Sequence, residues 1–378
     1  MKILFVITKS DIGGAQVFVL NLATVLKKMG YEVEVAAGDG DYLFGELEKE
    51  QVPYYYLNSL KRNLNIFNSF YFIYDLYLLI RKKDYDIIHL NSSNTLIGAI
   101  STKLLRKKPK TLFTFHGLSF IDRNFSSNAI IKSFARIYYK LLLKTIDKIV
   151  FECETNMNDL KNESMIKSAE VIYNGLEEKN MHFISKKEAR KYFSTRTDYD
   201  LTNSFIIGST GRLAYQKNYE FLIQNFYLIK ERIPEAKVVI IGDGPDRDNY
   251  LKQIEKHGIT KDFFLLGELR DSHQYMNGFD LFTLPSRYEG VSISLIEALY
   301  VPLAILATNV GGNSDIVGND QRQLFSLDNI EEYLEKIFEI YKNRNSIIEH
   351  NSLLKERFSL KEMTKSYIKL YDELKRSY

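Results

Sequence analysis

A chain of 378 residues with 45% hydrophobic and 26% charged residues is too long for one ordinary core and too apolar for disorder, so two or more globular domains are expected. A single cysteine, Cys153, excludes an internal disulfide framework, and no apolar run approaches the roughly 20 residues of a spanning helix. The net charge of +3 conceals a segment, residues 61–148, with 16 Lys or Arg against 5 Asp or Glu, which points to an anionic membrane surface, a phosphorylated substrate or nucleic acid. The opening apolar run is broken by Lys9 and Asp11 and is too short for a signal peptide. A cytoplasmic protein is expected, free or resting on the cytoplasmic face of a membrane.

Strand-like and helix-like segments alternate from the start. Strand Lys2–Thr8 leads through Gly13-Gly14 into a helix, followed by strand Tyr31–Ala37, helix Tyr42–Glu50, strand Val52–Leu57 and helix Phe67–Lys82. Strand Ile87–Asn91, helix Leu96–Arg106 and strand Thr111–Phe115 lead to His116-Gly117, and a basic helix Ile130–Leu143 follows. Strands Lys148–Cys153 and Ala169–Tyr173 end this half at Asn174-Gly175. A second series runs through strand Phe205–Ser209, helix Tyr219–Arg232, strand Lys237–Ile241, helix Asp246–His257, strand Phe263–Leu266, strand Asp280–Leu284, a helix and strand Leu303–Ala307. Strands separated by helices of this length predict parallel sheets covered on both faces. The expected division is a Rossmann-like domain over 1–178, a charged linker over 179–203, a second Rossmann-like domain over 204–357 and a terminal helix over 358–378. Two such halves imply a cleft, with ligands outside the carboxyl ends of the strands.

The stretch Pro285–Val301 holds Glu289 and Gly290 in a loop after a strand, with Glu297 eight positions beyond Glu289 inside a helix. Helix N-termini there attract anions, although a first-turn charge and a solvated face residue explain the two carboxylates equally well. Arg212 and Lys217 follow the first strand of the second half, where a guanidinium fork and an ammonium suit a diphosphate as readily as an ordinary surface. Gly242-Asp243-Gly244-Pro245, Gly13-Gly14 and Thr308-Asn309-Val310-Gly311-Gly312 offer close backbone approach at other strand ends. None is a GxGxxG with an acidic residue at the dinucleotide spacing, so NAD is disfavoured. His116 closes a strand; an isolated histidine is more often structural, yet this place makes it a candidate. One cysteine and six scattered histidines give no zinc spacing, and the pairs Asp84/Asp86, Asp198/Asp200 and Asp246/Asp248 close no strand, so no metal is expected.

In order and spacing, Gly13-Gly14-Ala15, His116-Gly117, Asn174-Gly175, Gly211-Arg212…Lys217-Asn218, Gly242-Asp243-Gly244-Pro245, Glu289…Glu297 and Thr308…Gly311-Gly312 resemble family 4 of the retaining glycosyltransferases. The resemblance implies the α/β GT-B fold, two Rossmann-like domains facing each other across a cleft. It implies transfer of a sugar from a nucleotide-diphosphate sugar, UDP favoured, to a glycan or lipid-diphosphate-linked acceptor in envelope or capsular polysaccharide assembly, without metal or further cofactor. By the same resemblance Arg212 and Lys217 hold the donor diphosphate, Glu289 binds the donor sugar near the reacting carbon, Glu297 bonds the ribose hydroxyls and His116 sits on the acceptor side. Gly14 lets the first loop approach the phosphates, and Gly13, Asn174, Gly211, Gly242, Gly244, Gly290, Val291 and Ser292 complete the implied donor site. Same-face attack, with the leaving phosphate taking the acceptor proton, explains why no second carboxylate stands out as a nucleophile. The sequence departs from the family pattern at Glu177 or Glu178, where aspartate is usual, and at Gly318-Asn319-Asp320-Gln321-Arg322, which replaces a glycine-aliphatic loop. The last helix commonly crosses back in this fold, and Met363, Tyr367, Leu370 and Tyr371 form one stripe suited to that.

The basic helix interleaves Ile130, Ile131, Phe134, Ile137, Tyr138, Leu141 and Leu142 with Lys132, Arg136, Lys140, Lys144 and Lys148, a pattern able to lie on an anionic bilayer at about 1 kcal/mol per cation. Lys103, Arg106, Lys107, Lys108 and Lys110 add to it, while a sheet-covering helix with a solvated basic face explains the helix equally well. No nucleic-acid recognition motif accompanies the charge, so no nucleic-acid partner is expected. Two alternatives share the fold: a non-catalytic sugar-nucleotide-binding subunit, which Glu289, Arg212 and Lys217 argue against, and a sugar-nucleotide epimerase, which the donor motifs fit less well.

Overall fold

The structure, a computed structural model, describes residues 1–61, 66–118, 121–122, 125 and 128–376. The chain forms two compact units, Met1–Gly175 with Leu360–Tyr378, and Leu176–Ser359.

The first unit is built on seven parallel strands: β1 Lys2–Ile7, β2 Glu32–Ala37, β3 Tyr54–Tyr56, β4 Ile87–Asn91, β5 Lys110–Phe115, β6 Lys148–Phe151 and β7 Glu170–Val171. Their order is β3-β2-β1-β4-β5-β6-β7. Helices α1 Gly14–Lys28, α2 Tyr42–Lys49, α3 Ile66–Lys83, α4 Ala99–Lys103, α5 Ala129–Leu143 and α6 Glu154–Asn162 connect them. Unbroken burial along β1 and β4 follows from helices on both faces of the sheet, which leave no side of these strands for water. The order reverses between β1 and β4, so the loops leaving those two strands diverge and open a crevice at their carboxyl ends.

The second unit has six strands, β8 Phe205–Thr210, β9 Ala236–Ile241, β10 Phe263–Leu265, β11 Leu281–Leu284, β12 Ala304–Thr308 and β13 Leu324–Phe325, in the order β10-β9-β8-β11-β12-β13. All pairings are parallel, and here the reversal lies between β8 and β11. Its helices are α7 Lys186–Thr197, α8 Tyr219–Arg232, α9 Arg247–Lys256, α10 Ile293–Leu299, α11 Asn313–Ile316, α12 Ile330–Lys342 and α13 Asn345–Leu354. The last helix, α14 Leu360–Arg376, packs into the first unit, with Met363, Tyr367, Leu370 and Tyr371 buried in the core shared by β1, β2 and α1. The Tyr371 hydroxyl and Thr114 Oγ1 hold the two ring nitrogens of buried His89 at 2.7 and 2.8 Å.

Two sequence-based expectations need correction. Residues 179–203 are not simply a linker: they carry α7, which starts with a reciprocal capping box between Ser185 and Glu188 and buries Ala189 and Phe193. Its charge has a structural purpose, because Lys186 and Arg190 join Arg344 around the buried carboxylate of Asp280. The helix expected over Leu96–Arg106 is a 3-10 turn, Ser93–Gly98, followed by the short α4. The polar α6 and the two-residue β13 carry too few apolar positions to show a period, and neither was anticipated.

Candidate active site

In the second unit the carboxyl ends of β8 and β11 flank the strand reversal, and their loops are braced against each other. Gly242, past β9, has φ +150 and sits so close to the first loop that a Cβ there would lie 2.0 Å from the Gly211 carbonyl oxygen. The Gly211 N–H donates to Ile241 O at 3.0 Å and the Leu213 N–H to Asp243 O at 2.9 Å. Gly244 packs as tightly, its Cβ position being 2.3 Å from Leu213 O. These glycines are required by backbone crossing backbone, a contact that no side chain can share.

Across the reversal, Glu289 is buried (5% exposed) and accepts from Lys217 Nζ at 2.7 Å, Ser286 Oγ at 2.6 Å and Gln216 Nε2 at 3.2 Å. The Arg287 N–H donates to Gln216 O at 2.8 Å, which ties the two loops at the main chain. A buried carboxylate with an ammonium partner and two neutral donors is compensated for its desolvation and fixed in orientation. The loop after β12 supports the same point: Gly311, at φ +51, packs where a Cβ would be 2.1 Å from Glu289 O, and the Gly312 N–H donates to Gly290 O at 2.8 Å.

The two cations read from the sequence are in different states. Lys217 is committed to Glu289, whereas Arg212 is exposed and makes no hydrogen bond or ion pair among the described residues. Buried Val291 and Ser292 lead into α10, and the Ser292 and Ser294 hydroxyls lie 3.1 Å apart. Glu297, one turn into α10, faces His273 Nδ1 at 3.9 Å. Burial, and then the Asp271 charge, push the Glu297 carboxyl up to about 8, while burial pushes the His273 imidazole down. Near neutral pH both are therefore uncharged, and the contact is not an ion pair.

In the first unit β1 runs through Thr8 to Gly13 and into α1. Thr8 Oγ1 and Ser92 Oγ meet across the β1–β4 reversal. The first turn of α1, at Gly14, has no side-chain cap and no acidic residue, which leaves its N–H groups available to an anion. Gly13 has extended backbone, and a Cβ there would meet only the end of the Gln16 side chain, which donates to Lys9 O at 2.9 Å, so no backbone crossing demands glycine.

His116, one residue past β5, has Nδ1 2.6 Å from Glu152 Oε1 and Nε2 3.0 Å from Asn91 Oδ1. Asn91 Nδ2 donates to His89 O at 3.0 Å, which orients the amide so that its oxygen faces the ring. Both ring nitrogens thus face acceptor oxygens, and Phe18 packs edge-on at 4.8 Å between ring centres. Asn174 is buried beyond β7 and forms no hydrogen bond with this cluster among the described residues. Asn91, Glu152, Ser286, Gln216 and His273 were not singled out from sequence. Asn91 closes β4 and Glu152 directly follows the apolar end of β6, and a polar residue at a strand's carboxyl end was the available signal.

Residues 195–357 match the profile of the glycosyl transferases group 1, and residues 12–179 that of glycosyltransferase family 4. The chain is 28% identical over 342 residues to the UDP-Gal:alpha-D-GlcNAc-diphosphoundecaprenol alpha-1,3-galactosyltransferase of Escherichia coli, covering 83% of this chain and 84% of that protein. It is 26% identical over 299 residues to the N-acetylgalactosamine-N,N'-diacetylbacillosaminyl-diphospho-undecaprenol 4-alpha-N-acetylgalactosaminyltransferase of Campylobacter jejuni, covering 77% and 73%. The crystal structure of Anabaena HepE with UDP and glucose superposes with a TM-score of 0.81 over 99% of this chain and all of that one; at 18% identity this shows a shared fold.

Proposed function

The chain belongs to glycosyltransferase family 4 with the GT-B fold, and from that premise we propose that it moves a sugar, with retention, from a nucleoside-diphosphate sugar to a lipid-diphosphate-linked glycan in polysaccharide assembly. The observation that carries this reading is the Glu289 carboxylate fixed by Lys217, Ser286 and Gln216 at the strand reversal, with unpaired Arg212 on the β8 loop that carries Lys217. Arg212 offers a free guanidinium fork to the donor diphosphate, and Lys217 adds a second positive charge. As the bond from the anomeric carbon to the diphosphate oxygen breaks, negative charge grows on the leaving group, where fixed cations stabilise it most. The acceptor hydroxyl oxygen bonds to the anomeric carbon on the same face, and its proton passes to the departing diphosphate oxygen. Glu289 orients the donor sugar, and Glu297, holding its proton near neutral pH, has both a donor and an acceptor for the ribose diol. His116, positioned by Glu152 and Asn91, serves the acceptor side. UDP is the favoured carrier, and no metal is called upon.

The Escherichia coli and Campylobacter relatives, both named as transferases of diphospho-undecaprenol-linked sugars, support a diphosphate-linked lipid acceptor. Peripheral attachment to an anionic bilayer fits the outward side of α5, where Ile130, Phe134, Ile137 and Leu141 are each more than half exposed. Among the described residues no helix is long and apolar enough to cross a membrane. The test is transfer of labelled hexose or N-acetylhexosamine from UDP to undecaprenyl-diphosphate-linked sugars in vesicles. The expected product carries an α-linkage by NMR; a β-linkage contradicts retention, and UDP binding with no transfer to any acceptor favours the non-catalytic subunit.

A further inference from the structure

Helix α5 has two apolar faces. Tyr139, Leu142 and Leu143 are buried in the core, and on the opposite side the stripe of Ile130, Phe134, Ile137 and Leu141 is exposed. Helix α3 repeats the arrangement, with Phe72, Leu76 and Ile80 buried and Phe70, Tyr71 and Tyr74 exposed. Between the two helices runs a groove of about 630 Å³, lined along its length by Phe72, Ile97, Ile100, Ile131, Phe134 and Tyr138. A contiguous apolar surface of this kind, rimmed by polar groups, marks a binding site.

The groove is not apolar throughout, and this identifies its occupant. Ser59, Lys61, Ser93 and Asn94 also line it. Asn94 Nδ2 donates to Lys61 O at 2.7 Å, which joins these polar groups in one place, and Lys61 brings a cation there, 2.9 Å from Asp39. Ser93 and Asn94 follow directly on the turn after β4, whose last residue, Asn91, is the partner of His116. The groove therefore offers hydrocarbon along its length and a polar region, with Lys61 ion-paired to Asp39, two residues from the histidine cluster. That is the complement of an amphiphile with a polar head and one long chain.

We propose that this groove seats the hydrocarbon chain of the lipid-diphosphate acceptor, so that the enzyme selects its acceptor by the tail as well as by the sugar. The inference rests on the acceptor class given under Proposed function. Adhesion to the bilayer uses the outward stripe of α5, which shares only Phe134 with the groove.

Calorimetric titration of the whole chain, without vesicles, with farnesyl diphosphate below its aggregation concentration and with inorganic diphosphate tests it. Farnesyl diphosphate is expected to bind at least tenfold tighter, since each methylene withdrawn from water is worth roughly fourfold in affinity. Ile131→Asp, on the exposed wall, abolishes the difference. Ile97→Trp, which fills the groove without adding charge, does the same while vesicle binding is retained. Ile137→Ser with Leu141→Ser, on the outward stripe, keeps the difference and loses the vesicles. Unchanged stabilisation by UDP reports that each variant is folded. Equal affinity for the two diphosphates with UDP still bound overturns the groove and leaves the transferase reading standing; loss of UDP binding in the unaltered chain overturns both. Dodecylphosphocholine binding as tightly as farnesyl diphosphate gives the groove to bulk membrane lipid, and a dimer broken by Ile131→Asp gives it to a second copy; either result overturns the proposal.

Discussion

The two sheets reverse their strand order in the same way, and backbone crosses backbone beside both reversals, yet what surrounds them differs. In the second unit backbone crosses backbone at Gly242 and Gly311, and Glu289 is held by three side chains from two loops. In the first unit the loop after β1 is crossed as closely, at Gly38, whose Cβ position lies 2.4 Å from Thr8 O, and at Gly40, 2.4 Å from Asp11 N, but α1 starts without a side-chain cap and an apolar groove lies open between α3 and α5. A buried carboxylate fixed from two loops suits a ligand part of fixed chemistry such as a nucleoside diphosphate. An open apolar groove suits a partner held by burial rather than by directed bonds.

The sharpest way to break this contrast is at its centre. Glu289→Ala is expected to lower the transfer rate by about 100- to 1,000-fold, and to cost on the order of 3 kcal/mol in denaturant unfolding because Lys217 loses its partner in a buried site. A variant with near-normal transfer would show that Glu289 is only structural. Next comes the backbone. Gly242→Ala should cost about 2 kcal/mol or more, since its Cβ has nowhere to go, whereas Gly13→Ala should stay within about 0.5 kcal/mol. Equal costs would show that the backbone crossing at Gly242 is not what requires glycine there. Arg212→Ala should leave stability within about 0.5 kcal/mol while weakening UDP binding roughly tenfold or more, because an exposed, unpaired guanidinium contributes to the ligand and not to the fold.

The remaining effect is a pH dependence. The folded chain raises the Glu297 carboxyl to about 8, above its ordinary value of about 4.3, so the folded state binds the extra proton between those limits. That stabilising contribution is fully present below about pH 4.3 and is lost as pH rises through 8. Glu297→Gln lacks this dependence, so its midpoint should gain on the parent by a few degrees across that window and run parallel above it. Melting curves at a series of pH values decide the matter, and a constant offset would contradict the raised carboxyl.

The βα alternation was legible because buried parallel strands and their covering helices write long apolar periods into the chain. The strand-end motifs were legible because close backbone approach at Gly242 and Gly311 leaves glycine as the only choice. What stayed hidden depended on contacts between residues far apart in sequence. The charged stretch around Lys186 and Arg190 reads as a tether until Asp280, some 90 positions later, is placed beside it. His116 looks isolated until Asn91 and Glu152 arrive from the strands on either side. The two faces of α5 were visible as a pattern, but a buried helix and a bilayer-facing one share that pattern until the core shows which face it takes.

A thermal-shift series with UDP, GDP, ADP and NAD, run on the parent chain and on Arg212→Ala, tests the donor site most directly. Stabilisation by UDP of several degrees, about what a ligand at 100 times its dissociation constant provides, and its loss in Arg212→Ala are the predicted result. Stabilisation by NAD alone, or UDP stabilisation that survives in Arg212→Ala, would contradict the donor site described at the β8–β11 reversal.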